Sequence, residues 1–539
     1  MIKMKRYYFT ILLVGFCVLN LRLFSQEIST QEEHNMHLLK NDLLNSENAS
    51  GLIFTDFKQY GISDLGYKYK KTDLNRAQSG DTESGLEFVS ERYDRILTDW
   101  YTWGKFEFHM NREKNRNWSS VFNTYDDSPY VFGDSVKSSY DKQFFDLQAK
   151  IAKRFGSKVA LGIGLNYYAG DMSRLRDPRT RSYLVNYSFV PGLMYAINDK
   201  NTIGFNIGVG FEKEKMPSIT TVQTEPKIDY YFFLGNENAY SVLDGYKGFD
   251  RQYVTFHYNF GLQYNLKTVN AGWSNDFGLK IRKQEVLGSE RESPGNYLSS
   301  TINASSQFYY QLKKHILKMH FKANYKNGFA DEFLQERIEI RDTVTGSTSK
   351  EWITLYTYDN RYVNNVYDFS LNVDLRNLIK NGNDYSWMAG MKAYLDGFSN
   401  KYYLPYSAFE SQRLSLGAYG SVRLFEKNTH SMNVSMGVDY IFNTFNNIEL
   451  NSIASMPETT SLSSAQQATQ RVASEIILKD AELFKQDVLS FSASINYAFP
   501  IMIKKTRLTG QLKLNGNYKS ASTFGDESFI GASFGIITF

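Results

Sequence analysis

The sequence holds seven histidines, the side chains best suited to proton transfer near neutral pH: His34, His37, His109, His257, His315, His320 and His430. None stands at a recognisable spacing from a serine or aspartate that would make it the base of an activated nucleophile. His109, His257 and His320 fall on one row of three candidate strands, where a catalytic site built across strands would need them. His315 and His430 fall beside short turns. His34 and His37 have the i, i+3 spacing of two metal ligands on a helix, a spacing that a solvated helix face shares. Gly531-Ala532-Ser533-Phe534-Gly535 fits the G-x-S-x-G pattern, which needs a strand-to-helix turn to expose its serine. Here no helix follows. The one cysteine, Cys17, lies in the first 25 residues, so a chain processed after them has no thiol chemistry and no disulfide. No catalytic residue, cofactor or metal is expected.

Charge and aromatic surface are what the sequence does carry. Lys318, His320 and Lys322 alternate with apolar residues, as do Asp368, Asp374 and Arg376, and also Asp276, Lys280 and Arg282. Arg174, Arg176, Arg179 and Arg181 form a basic loop whose planar forks suit the carboxylates or phosphates of an anionic solute or of lipopolysaccharide. A solvated loop, or ion pairs within it, is the other reading. Tyr230-Tyr231-Phe232-Phe233-Leu234 is followed by Tyr240, Tyr246 and Phe249, and Tyr402-Tyr403-Leu404-Pro405-Tyr406 is a second aromatic cluster. Such runs stack on sugars or fill a partner's pocket, form a girdle at a membrane interface, or pack within loops.

The elements that position these groups are strands. From Val159 the apolar row Val159, Leu161, Ile163, Leu165, Tyr167 interleaves with Ala160, Gly162, Gly164 and Asn166, and Ile203 to Phe211 repeats the scheme. So do Val254 to Tyr264, Leu317 to Tyr325, Tyr367 to Leu375, Leu414 to Leu424, Met432 to Phe442 and Leu489 to Phe499. Runs of this length suit the ~9–11 residues with which a tilted strand crosses a bilayer. The charges of the second row would each cost roughly 2–4 kcal/mol facing lipid at mid-depth, so they belong to a polar lumen. Short connections (Gly156-Ser157, Asn198 to Lys200, Lys313-Lys314, Pro500 to Lys504) alternate with long ones (Arg112 to Tyr140, Met172 to Arg181, Lys213 to Asp250, Gly328 to Tyr362, Asn443 to Gln486). The spacing predicts an all-β, antiparallel transmembrane barrel of about 18 strands (14–18), with short turns in the periplasm. The last long loop is predicted to hold a helix, Ser463 to Phe484, with Val472, Ile476 and Leu483 on one face.

Composition agrees. With 16 % aromatic and 42 % hydrophobic residues and a mean hydropathy of -0.43, the chain is too polar for a helical membrane protein and suits strands that face lipid at alternate positions. A formal charge of +4 from 61 basic and 57 acidic residues gives no reason to expect nucleic acid. Lys3, Lys5 and Arg6, the apolar stretch Ile11 to Leu21, and Ser25 before Gln26 read as a secretory signal, 1–25. A 26–60 segment, helical from Glu27 to Asn45, then precedes a barrel at 61–539.

Asn48-Ala49-Ser50-Gly51-Leu52 resembles the Asn-x-Ala-Gly-Leu opening of Bacteroidetes-type outer-membrane barrels, among them relatives of the long-chain fatty-acid transporter, with Ser50 where that opening has Ala. Phe539, with Ile537 two positions before it, resembles the C-terminal signal read by the barrel-assembly machinery. The resemblance implies an N-terminal segment in the periplasm or the lumen. The expectation is then an outer-membrane channel or passive transporter for a nutrient solute, both termini periplasmic, in contact with outer-membrane lipid and lipopolysaccharide. The alternative is a barrel whose loops dock a surface lipoprotein or an active transporter.

Overall fold

A computed structural model describes residues 36, 39–40, 43–55, 59–126, 128–219, 229–243, 249–288, 291–341, 348–379, 384–427, 430–454, 456, 462–503 and 506–538. The expected signal with Cys17, the 26–35 stretch with His34, His37, Tyr246 and Phe539 lie outside the described residues.

Eighteen antiparallel strands form one closed barrel. In chain order they begin with β1 (Tyr60–Thr72), β2 (Thr82–Leu97) and β3 (Trp100–Arg116); a short β4 (Phe132–Asp134) stands apart. Then come β5 (Ser138–Phe155), β6 (Val159–Arg174), β7 (Arg181–Ala196) and β8 (Asn201–Ile219). After β9 (Asp229–Gly235) and β10 (Asn238–Leu243) the wall resumes with β11 (Phe249–Lys267), β12 (Ala271–Gly288), β13 (Gly295–Gln311), β14 (His315–Arg341) and β15 (Thr348–Ile379). It ends with β16 (Asp384–Tyr402), β17 (Ser407–Lys427), β18 (His430–Glu449), β19 (Val488–Ile503), β20 (Thr506–Ala521) and β21 (Gly525–Thr538). β1 pairs with both β2 and β21, so no strand edge is left to lipid.

The alternation decides which row faces which solvent. Leu161, Ile163, Leu165 and Tyr167 are exposed on the outer wall, as are Phe205, Ile207 and Val209. Their neighbours Gly162, Gly164 and Asn166 face inward. The apolar outer belt and the hydrogen-bonded closure are what a bilayer demands of strands.

The strands are longer than a crossing requires, up to 32 residues in β15. The expected loop Gly328 to Tyr362 is mostly a hairpin instead. Beyond Glu332 and Tyr358, β14 and β15 pair only with each other, out to Arg341 and Thr348. The run Trp352-Ile353-Thr354-Leu355-Tyr356 is strand-forming, and pairing satisfies its backbone. The expected turn at Pro500 is also strand, with Pro500 opposite Thr509.

β10, β9 and β4 form a separate three-stranded sheet folded into the lumen at the long-loop end. The helix expected in the last long loop covers it: α1 (Ser464–Val472), a π-helical turn (Ala473–Ile477) and α2 (Leu478–Phe484). Ser463 caps it, with the Gln466 side chain returning to the Ser463 backbone. Val472 and Ile476 are buried as expected, but Leu483 is only half-buried; Ile477, Ala481 and Phe484 replace it. The π turn inserts one residue per turn and rotates the later face.

Candidate functional site

Two inserts divide the lumen. The lower one, the plug, is the 43–55 segment, built around a 3-10 turn (Ala49–Phe54). Asn48 caps that turn through its side-chain oxygen, which accepts from Ser50 N at 3.1 Å. Its amide donates to Leu193 O (3.1 Å), Phe205 O (3.2 Å) and Gln263 Oε1 (2.8 Å), tying the turn to β7, β8 and β11. Ser50 Oγ donates to Gly192 O at 2.7 Å, and Lys150 Nζ to the carbonyls of Leu44 and Ser46, both at 2.7 Å. The wall glycines are what admit it. A Cβ on Gly192 would sit 2.2 Å from Asn48 Oδ1, and one on Gly162 would sit 2.6 Å from Ser50 N. Across the lumen, Met36 and Leu39 pack on Tyr309, Ile316 and Leu378 of β13, β14 and β15.

The upper insert, the cap, is the three-stranded sheet with α1, α2 and the 117–126 and 128–131 stretches that lead into β4. Its Phe122 packs with Tyr140, Met172 and Leu184 on β5, β6 and β7. Tyr130, Phe132, Tyr230 and Phe232 pack against Tyr253, Val286, Tyr297, Tyr362 and Tyr402 on β11 to β16. Tyr231 and Phe233 meet the helix and Phe409 of β17, so the cap reaches the wall on several sides. Polar latches fix it. Asp126 receives both Arg282 nitrogens, at 2.9 and 2.7 Å, and Asp480 receives Arg76 Nε at 2.9 Å and Ala77 N at 2.7 Å. Arg471 donates to Tyr231 Oη at 2.9 Å. Burial would raise the Asp126 carboxyl, but Arg282 outweighs it and holds Asp126 below the usual carboxylate range. Glu237, in the turn between β9 and β10, is pushed up by burial although it accepts from Asn451 N at 2.8 Å.

Beside the plug the lumen holds a cavity of ≈ 440 Å³. Glu47 enters it from the plug; Asn206, Asn259, Asp276, Lys280, Lys318 and Lys322 enter from β8 and β11 to β14. Asp276 accepts from Gln263 Nε2 at 3.1 Å and Glu47 from Asn259 Nδ2 at 3.4 Å. Among the described residues, Lys280 and Lys322 make no ion pair or hydrogen bond. Asn206 Nδ2 and Asn259 Oδ1 are buried without a protein partner and border the same cavity. The arrangement solvates and attracts charge; it holds no group of three or more metal-ligating side chains among the described residues.

Residues 49–539 match a family of unknown function, DUF6850. The chain belongs to that family. No curated protein matches. Among solved structures it is similar to a Pseudomonas aeruginosa FadL homologue, at 9 % identity and TM-score 0.32, over 96 % of this chain and 99 % of that one. It is similar to the RagAB peptide importer, at 5 % identity and TM-score 0.36, over 89 % and 86 % of the two chains. The FrpB iron transporter of Neisseria meningitidis stands at 10 % and 0.36, over 90 % and 83 %. A closed barrel with an apolar belt and a charged lumen is the architecture of the bacterial outer membrane, and this family member is an outer-membrane barrel.

Lys318, His320 and Lys322 come together in the cavity. Asp368 accepts from Asn324 at 3.0 Å, and Asp374 pairs with Arg376 at 2.6 Å; neither aspartate borders the cavity. The basic loop is spoken for within the protein. Arg174 is fully buried against Asp134 at 2.6 Å, Arg179 pairs with Asp177 at 3.0 Å, Arg181 with Asp171 at 2.5 Å, and Arg176 reaches Lys137 O at 3.3 Å. Tyr230 and Tyr231 are interior to the cap, and Tyr402 is buried, donating to Glu332 at 2.7 Å; Tyr403 stays exposed. His109 stacks on Phe144 at 4.5 Å and lies 3.4 Å from Glu107, His257 is buried against Gly210, and His320 lies 3.3 Å from Ser305 Oγ. Ser533 faces inward within β21, opposite Gly66 and Lys513. In the sequence, Lys280 and Asn206 are legible only as members of the inward rows of their strands, and Glu47 only as a neighbour of the Asn48 motif; nothing local brings the three to one cavity.

Proposed function

We propose that the protein is a passive transporter for a nutrient solute, with its long loops outside the cell and both termini in the periplasm. The observation that carries this reading is the polar cavity between the plug and the wall strands β8 and β11 to β14. A barrel serving only as an anchor has no use for cations gathered on one face of its lumen, where like charges repel one another. Solute would enter as the cap swings from its latches and leave past the plug. Export would rest on the 1–25 signal and on recognition of the last strand by the assembly machinery, with lipopolysaccharide around the outer rim. Solute flux into proteoliposomes holding the purified barrel tests the reading. Flux that rises in the Asp126→Asn/Asp480→Asn variant supports it; no flux in either protein overturns it.

A second reading is favoured by the projecting hairpin of β14 and β15. Two strands alone are marginal in water, yet these expose Leu334, Ile340, Ile353, Leu355 and Tyr356. A surface lipoprotein seated there would cover them. On that reading, replacing 333–357 by a tight turn leaves flux intact and removes a lipoprotein that otherwise co-purifies in fixed ratio. A barrel that purifies without such a partner from its native membrane counts against it.

A further inference from the structure

The lumenal face of β12 to β14 carries its cations in a line. On β14, Lys318, Lys322 and Lys326 recur at every fourth residue, about 14 Å apart at the ~3.4 Å rise of an antiparallel strand. Lys280 of β12 and Lys326 flank Thr301 of β13 in one cross-strand row. Two residues further along β12 is Arg282, bound to the cap through Asp126 and to the wall through Glu212 at 3.2 Å. The line therefore runs from the short-turn end, along the cavity, to the cap. Like charges in series repel, and low-dielectric walls focus their field on the space between them. The acids that face this space, Glu47 and Asp276, each have an amide donor from the wall, and neither lies within ion-pair distance of Lys280 or Lys322. Glu47 acts on Lys280 through space, as do Glu212 and Asp126, but the last two are already bound to Arg282. Asn206 Nδ2 adds a buried donor without a protein partner. A neutral sugar would want an aromatic platform. The cavity offers none among the described residues, since the Phe260 that borders it points its ring at lipid.

We propose that the cavity binds a small, multiply charged anion through carboxylate or phosphate groups, held between Lys280 and Lys322, with Asn206 as a further donor. Lys318 and His320 line its way to the short-turn end, and Arg282 is the first cation it meets once the cap opens. The proposal rests on the transporter reading and gives that solute its chemical class.

Titration calorimetry on the purified full barrel, with citrate, inorganic phosphate and glucose as separate probes, tests it. Citrate or phosphate binds, more weakly as salt rises, and glucose does not. Citrate alone identifies carboxylate recognition and phosphate alone identifies phosphate recognition. The Lys280→Gln/Lys322→Gln variant, checked for the folded barrel's retained heat-modifiable migration, loses tenfold or more in affinity, while Arg181→Gln on the outer loop loses nothing. The proposal is overturned if neither anion binds, if glucose binds as well as they do, or if the double variant binds like the parent. Binding is read at equilibrium without passage. Anion binding without flux therefore rejects the transporter and keeps the site, and flux without anion binding does the reverse.

Discussion

Arg174 and Asp134 are each almost wholly removed from solvent, and Arg174 also donates to Tyr140 Oη at 3.0 Å. A buried pair broken on one side leaves an uncompensated charge and costs about 3–5 kcal/mol. Arg174→Met should lower the denaturant midpoint of the cap region by that order, and adding Asp134→Leu should recover most of it. A single variant as stable as the parent would show that the pair carries nothing. Glu237 answers to pH in the opposite sense from Asp126. Its carboxyl is raised in the closed cap, so the closed form is favoured at low pH and loses that advantage as pH rises through the raised value. Asp126 is lowered, so its latch holds above the ordinary carboxylate range and fails as pH falls through the lowered value. Protease nicking of the cap against pH should separate them: Glu237→Gln removes the loosening on the alkaline side, while Asp126→Asn leaves the cap loosened at every pH and so abolishes the acid-side step. The lumenal lysines were legible from alternation alone because a charge on one face of a strand has one permitted solvent. The fate of Arg174 was not, because its partner is 40 residues away on a strand three residues long.

At the scale of elements, the plug and the cap are where local pattern ran out. The plug's turn announces itself in Asn48 to Leu52, but its seat is cut by glycines of β6 and β7, far along the chain. Gly192→Val should unseat it while leaving the barrel closed, and a proteoliposome leak that rises above the parent's would report this; an unchanged leak would mean that the plug has room to spare. The last loop's helix was legible from its apolar spacing, and the π turn alone displaced the expected face. The aromatic run Tyr230 to Leu234 gave no hint of direction. Strand propensity says that it pairs, and only the position of β4 decides that it pairs inside the lumen.

The whole molecule is a wall that the sequence makes plain and a filling that it does not. The outer row must be apolar at every level of the bilayer, a constraint repeated on all eighteen strands, whereas the filling depends on contacts between segments hundreds of residues apart. Barrel count, alternation and strand direction followed from the repeated constraint. The central claim is that the lumen is a route closed by a movable cap and biased towards anions. Planar-bilayer current through the Asp126→Asn/Asp480→Asn barrel, with a salt gradient across the membrane, tests it most directly. A conductance well above the parent's is expected, with a reversal potential on the anion side that collapses towards zero in Lys280→Gln/Lys322→Gln. A lumen that stays silent when the latches are cut, or one that prefers cations, would contradict it.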